Sequence, residues 1–133
     1  QGAKEAGHSG AIVGQGNYYT YHAFYPKGRM LNGLSGKGDY RFREFNSLQE
    51  AMDYAKGEGY DRWAYYQTSS TEDNVMRQVA ERWGDSDYLL TKDNCVQLVN
   101  EMALSVNLPW RDLRAPNANF NRNRNQANEE GIF

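Results

Sequence analysis

Apolar residues recur along the first 106 residues with the two periods that distinguish strands from helices. Runs of β-branched and aromatic residues predict five strands, at 8–13, 17–25, 39–45, 60–68 and 88–90. Three segments with apolar residues three and four apart predict helices, bounded by Ser47 and Gly57, by Ser69 and Gly84, and by Asp93 or Asn94 and about Val106. The glycine-rich stretch between the second and third strands is predicted to be a loop.

The first two predicted strands form a β-hairpin, because only Gly14-Gln15-Gly16 separates them. A three-residue loop with Gly16 in the left-handed conformation pairs Val13 with Asn17, and the same register places His8 opposite His22. Residues opposite each other lie about 5 Å apart on one face of a sheet. We therefore expect the two imidazoles to form one cluster, which a slip of one residue would separate.

The last part of the chain has a different composition. From Arg114 to Phe133 it is rich in Asn and Arg, and its large apolar residues are Phe120, Ile132 and Phe133. So few apolar groups cannot by themselves offset the entropy cost of ordering the segment. We therefore predict a domain at 1–113 and a C-terminal tail at 114–133, which docks on the domain or on a partner and which the chemistry does not need.

Composition and charge narrow the function classes. With 133 residues, of which 39% are hydrophobic and 24% charged, the chain fits one globular domain. A formal net charge of -2 supplies no basic field for phosphates, so we expect no nucleic-acid partner. No apolar run approaches the roughly 20 residues of a membrane span, and we expect no stable membrane insertion. The chain begins with Gln1 and shows no signal peptide, so we expect a domain excised from a longer protein.

Cys95 is the only cysteine, which excludes an internal disulfide and leaves the thiol either reactive or buried. Its predicted position is one or two residues inside a helix start, where backbone N–H groups and the helix dipole favour a thiolate. A nucleophile benefits from that position. The surrounding helical stripe is apolar, however, and a role as a small core residue stays open.

His8 and His22 are the only histidines. A thiol nucleophile needs a general base, and the base needs a polar group that orients it. His8 is the stronger candidate for the base because Gly7 and Gly10 permit close approach, whereas His22 lies among aromatic residues and suits an orienting or a structural role. A metal site is a weaker interpretation, since these candidate ligands lack a paired spacing, and we expect no metal or cofactor.

The order of these motifs resembles a known group of enzymes. Gly7-His8-Ser9-Gly10-Ala11-Ile12-Val13, a tyrosine-rich strand, a Ser-Leu-x-Glu helix and Asp93-Asn94-Cys95-Val96 are similar to the circularly permuted papain-like proteins, which are relatives of the NlpC-type peptidases. More narrowly, the chain looks like the C-terminal toxin domains of bacterial Rhs and related polymorphic toxins. The resemblance covers most of 7–106 and implies an α+β, papain-like fold with an antiparallel sheet and about three helices.

The resemblance also implies a function. Cys95 would be the nucleophile, His8 the base and His22 the third catalytic residue of a cysteine peptidase or amidase. Such a toxin or effector would be secreted or delivered into a target cell, would cleave an amide bond in peptidoglycan peptide or in a target-cell protein, and would be neutralised by an immunity protein.

Two alternatives stay open. One is acyltransferase or lipase action on lipids, because the two histidines and the Asn-Cys pair are also similar to the lecithin:retinol acyltransferase group. Here the spacing between the histidines is two residues longer than in that group, and Val96-Gln97-Leu98 follow the cysteine where that group has an acidic residue and a histidine. The other alternative is a non-catalytic interaction domain in which Cys95 belongs to the core.

Overall fold

Three consecutive strands precede the first helix in the computed structural model, which describes residues 8–26, 35–84, 87–89, 94–110, 113 and 116–133. The strands are β1 (Gly10–Gln15), β2 (Tyr18–Pro26), β3 (Ser35–Phe45), β4 (Arg62–Tyr65), β5 (Asp87–Leu89) and β6 (Glu129–Ile132). The helices are α1 (Leu48–Gly57), α2 (Ser70–Glu81), α3 (Cys95–Ser105) and α4 (Pro116–Asn123), followed by a 3₁₀ turn at Arg124–Gln126. The predicted α+β class is confirmed.

The three predicted helix starts are confirmed by their caps. Ser69 and Glu72 form the full reciprocal capping box at the start of α2. Ser47 accepts a hydrogen bond from a backbone N–H in the first turn of α1. The Asn94 side chain accepts from two backbone N–H groups in the first turn of α3, so Cys95 is the first residue of that helix.

The main sheet has the strand order β1-β2-β3-β5, and all its neighbours are antiparallel. The hairpin register differs from the prediction, because Gln15 pairs with Tyr18 and the turn holds two residues instead of three. Gly16 has a φ of 61°, which suits the first central position of a tight two-residue hairpin turn. His22 therefore lies opposite Ala11, and the predicted pairing of His22 with His8 is wrong.

The two faces of the main sheet carry different helices. On β2, Thr20, His22 and Phe24 share one face, which packs on α2 and α3; we call it the α2/α3 face. Tyr21 and Tyr25 share the other face, where the ring of Tyr21 packs on Tyr54 of α1; we call it the α1 face. The core lies on the α2/α3 face and contains Val13, Phe24, Met76, Ala80, Trp83, Leu98 and Met102.

The predicted tail docks on the domain. β6 pairs with β4 in a second, two-stranded sheet, from Arg62 opposite Ile132 to Tyr65 opposite Glu129. Asn119 and Asn123 are buried and hydrogen-bonded to each other. The segment has few apolar residues, and these hydrogen bonds stabilise its ordered structure instead. The boundary at residue 113 stays a prediction.

None of the helices in the described part of the chain combines the length and the apolar character that crossing a membrane requires.

Candidate functional site

Cys95 lies at the start of α3 on the side of the helix that faces the protein interior. Its exposed fraction is 3%. Leu98 and Met102, one and two turns further along the same side, belong to the core of the α2/α3 face. The thiol is therefore shielded from bulk water, and it stands where the dipole of α3 favours a negative charge.

The strand order relates the start of α3 to one end of the sheet. β5 ends at Leu89, which pairs with Ser35 near the end of the sheet where Tyr25 lies opposite Asp39. Six steps of the chain connect Leu89 to Cys95, and an extended chain spans at most about 20 Å over that length. Cys95 therefore lies within about 20 Å of Leu89. His8 lies just before β1, at the end of the sheet where Tyr25 lies opposite Asp39.

His22 lies on the α2/α3 face and is fully buried, with an exposed fraction of 0%. Both ring nitrogens are hydrogen-bonded: Nδ1 is 2.7 Å from the Tyr40 hydroxyl and Nε2 is 2.8 Å from Thr20 Oγ1. An imidazole has two nitrogen sites for hydrogen bonds, so both sites of His22 are occupied inside the fold.

The partners of Thr20 assign the tautomer of the neutral His22 ring. The Thr20 hydroxyl donates its one proton to the Val13 carbonyl at 3.2 Å and accepts from Arg77 Nε at 3.0 Å. It can therefore only accept from His22, which places the ring proton on Nε2 and leaves Nδ1 to accept from Tyr40. Burial, and then the charge of Arg77, lowers the pKa of His22 to about 4. The hydrogen bonds fit a neutral structural histidine.

His8 lies on the α1 face. Its ring meets the edge of the Tyr25 ring at a centroid distance of 4.2 Å and lies 5.4 Å from the Tyr60 ring. The residue as a whole is exposed, while its ring is shielded by these two tyrosines. This desolvation, followed by the charge of Arg41, lowers the pKa of His8 to about 4. At neutral pH the imidazole is therefore uncharged.

The two tyrosines that shield His8 belong to a cluster of three, Tyr21, Tyr25 and Tyr60, which we call the tyrosine cluster. The Tyr21 hydroxyl lies 3.0 Å from that of Tyr60 and 3.3 Å from that of Tyr25. Desolvation by burial raises the pKa of Tyr21 and of Tyr60 well above the ordinary value. Gly10 makes room for the cluster, because a Cβ at this position would collide with the Tyr60 hydroxyl.

The three residues that the sequence analysis singled out do not form one cluster. Cys95 and His22 belong to elements of the α2/α3 face, whereas the ring of His8 packs on the α1 face. The expected cluster of two imidazoles is wrong, because the register differs by three residues and an odd shift moves a side chain to the other face. Tyr25 occupies the position beside His8 that we expected for His22.

Sequence reasoning missed Arg77 and Tyr40, which hold the His22 network. Both are far from His22 along the chain, and no local motif marks them. Within the described ranges, no three His, Cys, Asp or Glu side chains are grouped so that they could hold a metal ion.

Comparison with known proteins finds no matching family model, no matching curated protein and no matching solved structure.

Proposed function

We propose that this domain is a cysteine hydrolase that cleaves amide bonds, with Cys95 as the nucleophile and His8 as the general base. The observation that carries the proposal is the position of Cys95 as the first residue of a helix that Asn94 caps. The helix dipole favours the thiolate there, and backbone N–H groups at the same helix start can stabilise the oxyanion of a tetrahedral intermediate.

His8 suits the base for two reasons. Its ring is uncharged at neutral pH, and the chain connects the start of α3 to Leu89, near the same end of the sheet, over at most about 20 Å. Its ring packs on the α1 face, so the reaction requires the imidazole to turn around the strand end toward Cys95. His8 precedes β1, and the pleat of the strand therefore does not fix the direction of its side chain. His22 is left out of the mechanism because both of its nitrogens are occupied.

The proposed reaction has two steps. His8 takes the thiol proton, the Cys95 sulfur bonds to the carbonyl carbon, and His8 returns the proton to the amine as the C–N bond breaks. A thioester remains. In the second step His8 takes a proton from water, the resulting hydroxide bonds to the carbonyl carbon, the C–S bond breaks to release the carboxylic acid, and His8 returns the proton to the Cys95 sulfur.

The substrate and setting follow from the resemblance in sequence. We propose a peptidoglycan peptide or a target-cell protein as the substrate. The domain would act as a toxin or effector delivered into a target cell as part of a larger protein, and an immunity protein would protect the producing cell.

A non-catalytic interaction domain is the second candidate. The observation that favours it is the burial of Cys95 at an exposed fraction of 3%, next to a core that fills the same side of α3. In that case the thiol would be a small core side chain.

Expression of the domain separates the two candidates. The wild type, Cys95→Ala and Cys95→Ser are expressed in the bacterial cytoplasm and, separately, exported to the periplasm, and growth and cell lysis are followed. Toxicity in one compartment that both variants abolish supports the hydrolase, provided that their thermal melts match the wild type. Equal growth of all three in both compartments argues for the interaction domain.

Alkylation gives an independent measurement. We expect iodoacetamide to modify Cys95 in the native protein at slightly acidic pH faster than it modifies free cysteine, because the thiolate fraction controls the rate. Labelling that occurs only in denaturant would exclude a nucleophilic role.

A further inference from the structure

We propose that the open edge of β3 binds an extended strand of a partner protein, which places an acidic side chain against Arg43 and an apolar side chain against Phe42. This inference is independent of the proposed hydrolase activity.

The edge of β3 away from β2 is open over residues 40–45. β2 pairs with β3 from Tyr19 opposite Phe45 to Pro26 opposite Gly38. β5 pairs with β3 only at Ser35, Gly36 and Lys37. In the part of the chain that the structure describes, residues 40–45 therefore have β2 as their one neighbouring strand. Such an edge presents backbone N–H and C=O groups to which another strand can bind.

A cleft lies beside this edge. Its volume is about 530 Å³, and it is lined by Tyr40, Arg41, Phe42, Arg43, Tyr54 and Glu58. Phe42 is 41% exposed, although it is a large aromatic residue in the middle of a strand. A strand added along residues 40–45 of β3 would cover this ring.

The charges at the edge indicate which strand fits. Arg41 is neutralised within the domain, since its guanidinium lies 3.0 Å from Asp39 and 3.8 Å from Glu58. Arg43 is exposed and stacks over the Tyr54 ring at 5.3 Å. Among the described residues it forms no ion pair. A carboxylate on the added strand would form an ion pair with the guanidinium of Arg43.

Side chains alternate between the two faces of the sheet along β3, and this alternation determines which side chains the bound strand needs on each face. Arg41 and Arg43 point to one face of the sheet, and Phe42 points to the other. The bound strand therefore needs an acidic side chain on the face of Arg43 and an apolar one, a residue away, on the face of Phe42. A second copy of this chain fits poorly, because antiparallel pairing about Phe42 sets Arg41 against Arg43, and like charges directly opposite destabilise a sheet.

The probe is a fluorescent peptide of about ten residues in which Glu and Val alternate, with both ends capped, and the measurement is its anisotropy on titration with the full chain. We expect saturable binding that Arg43→Glu weakens about tenfold or more, because it reverses the charge at the site. Arg82→Glu, which makes the same change at an exposed position after α2, is the matched control and should bind as the wild type does.

Two N-methylated versions of the peptide test the strand geometry. Each is methylated at every second amide, in one phase or the other, so that one version loses the N–H groups that face β3 and the other keeps them. Loss of binding by one methylated version but not by the other supports the proposal. Equal binding of both versions, or equal effects of Arg43→Glu and Arg82→Glu, would overturn it. A dimer of the chain alone that Arg43→Glu dissociates would also overturn it, in favour of a second copy. Cys95→Ala should bind the peptide like the wild type, whatever its activity.

Discussion

The two histidines of this domain have the same lowered pKa, about 4, in different surroundings on opposite faces of one sheet. His22 is fully buried, and both ring nitrogens are hydrogen-bonded to Tyr40 and Thr20. His8 lies at the end of the sheet, where aromatic rings shield it while the residue stays exposed. A lowered pKa alone therefore does not identify a general base; the base also needs a nitrogen that can reach a substrate or a nucleophile.

The largest expected effects separate the two histidines: a substitution of His8 should reduce activity, and a substitution of His22 should reduce stability. We expect His8→Ala to lower kcat/KM by about a thousandfold or more, because it removes the general base, and to leave the melting temperature nearly unchanged. The assay is hydrolysis of the substrate that the expression experiment identifies. A variant that keeps full turnover would remove His8 from the mechanism.

His22→Ala should show the opposite effect. The substitution removes the hydrogen-bond partner of the Tyr40 and Thr20 hydroxyls, and it leaves a cavity in the core. We therefore expect it to lower the free energy of unfolding by about 3 kcal/mol or more. Urea denaturation followed by tryptophan fluorescence measures this loss. His8→Ala is the control, and an equal loss in both variants would contradict the distinction between the two sites.

The pH dependence of stability should contain a contribution from each histidine, and a substitution isolates the contribution of His22. Its pKa is about 4 in the folded protein and near 6.5 in the unfolded chain, so the unfolded chain binds more protons between these values. Stability from this group is therefore fully present above pH 6.5 and falls as the pH drops toward 4, by at most about 3 kcal/mol. Urea midpoints measured across this range for the wild type and His22→Gln check the prediction, and the slope should be shallower in the variant.

The smallest expected effect concerns the tyrosine cluster. Gly10→Ala adds a methyl group that collides with the Tyr60 hydroxyl, and we expect a loss of about 1 to 3 kcal/mol in the free energy of unfolding. Tyr60→Phe removes that hydroxyl, so the same glycine substitution should cost less in its background. A double-mutant cycle measures the difference, and additive losses would show that the two residues do not interact.

Local features of this fold were predictable from the sequence because their causes are local. The Ser69 capping box and the Asn94 cap lie next to the residues that they bind, and both are present in the structure. Gly14 and Gly16 lie close together in the hairpin sequence, and either a two-residue or a three-residue loop fits these glycines; in the structure Gly16 is in the turn and Gly14 is in β1. The local pattern therefore predicted the hairpin and missed its register.

The surroundings of the candidate site could not be predicted, because they depend on contacts between distant segments. Thr20 and Tyr21 lie on β2; Arg77 reaches Thr20 from α2, and Tyr60 reaches Tyr21 from a loop. Asn119 and Asn123 are one helical turn apart, which is compatible with an exposed helix, and only the docking of α4 buries them. Charge and amide patterns show that such residues can form hydrogen bonds, but they do not show with which partners.

The pairing of β4 with β6 has a consequence for biosynthesis. The ribosome makes Arg62 to Tyr65 long before it makes Glu129 to Ile132, which are the residues that pair with them. During that interval β4 is a nascent strand without its neighbour, and contacts between segments so far apart in sequence form late. Chaperone capture or proteolytic attack at β4 would therefore be confined to chains whose translation has not yet passed residue 132.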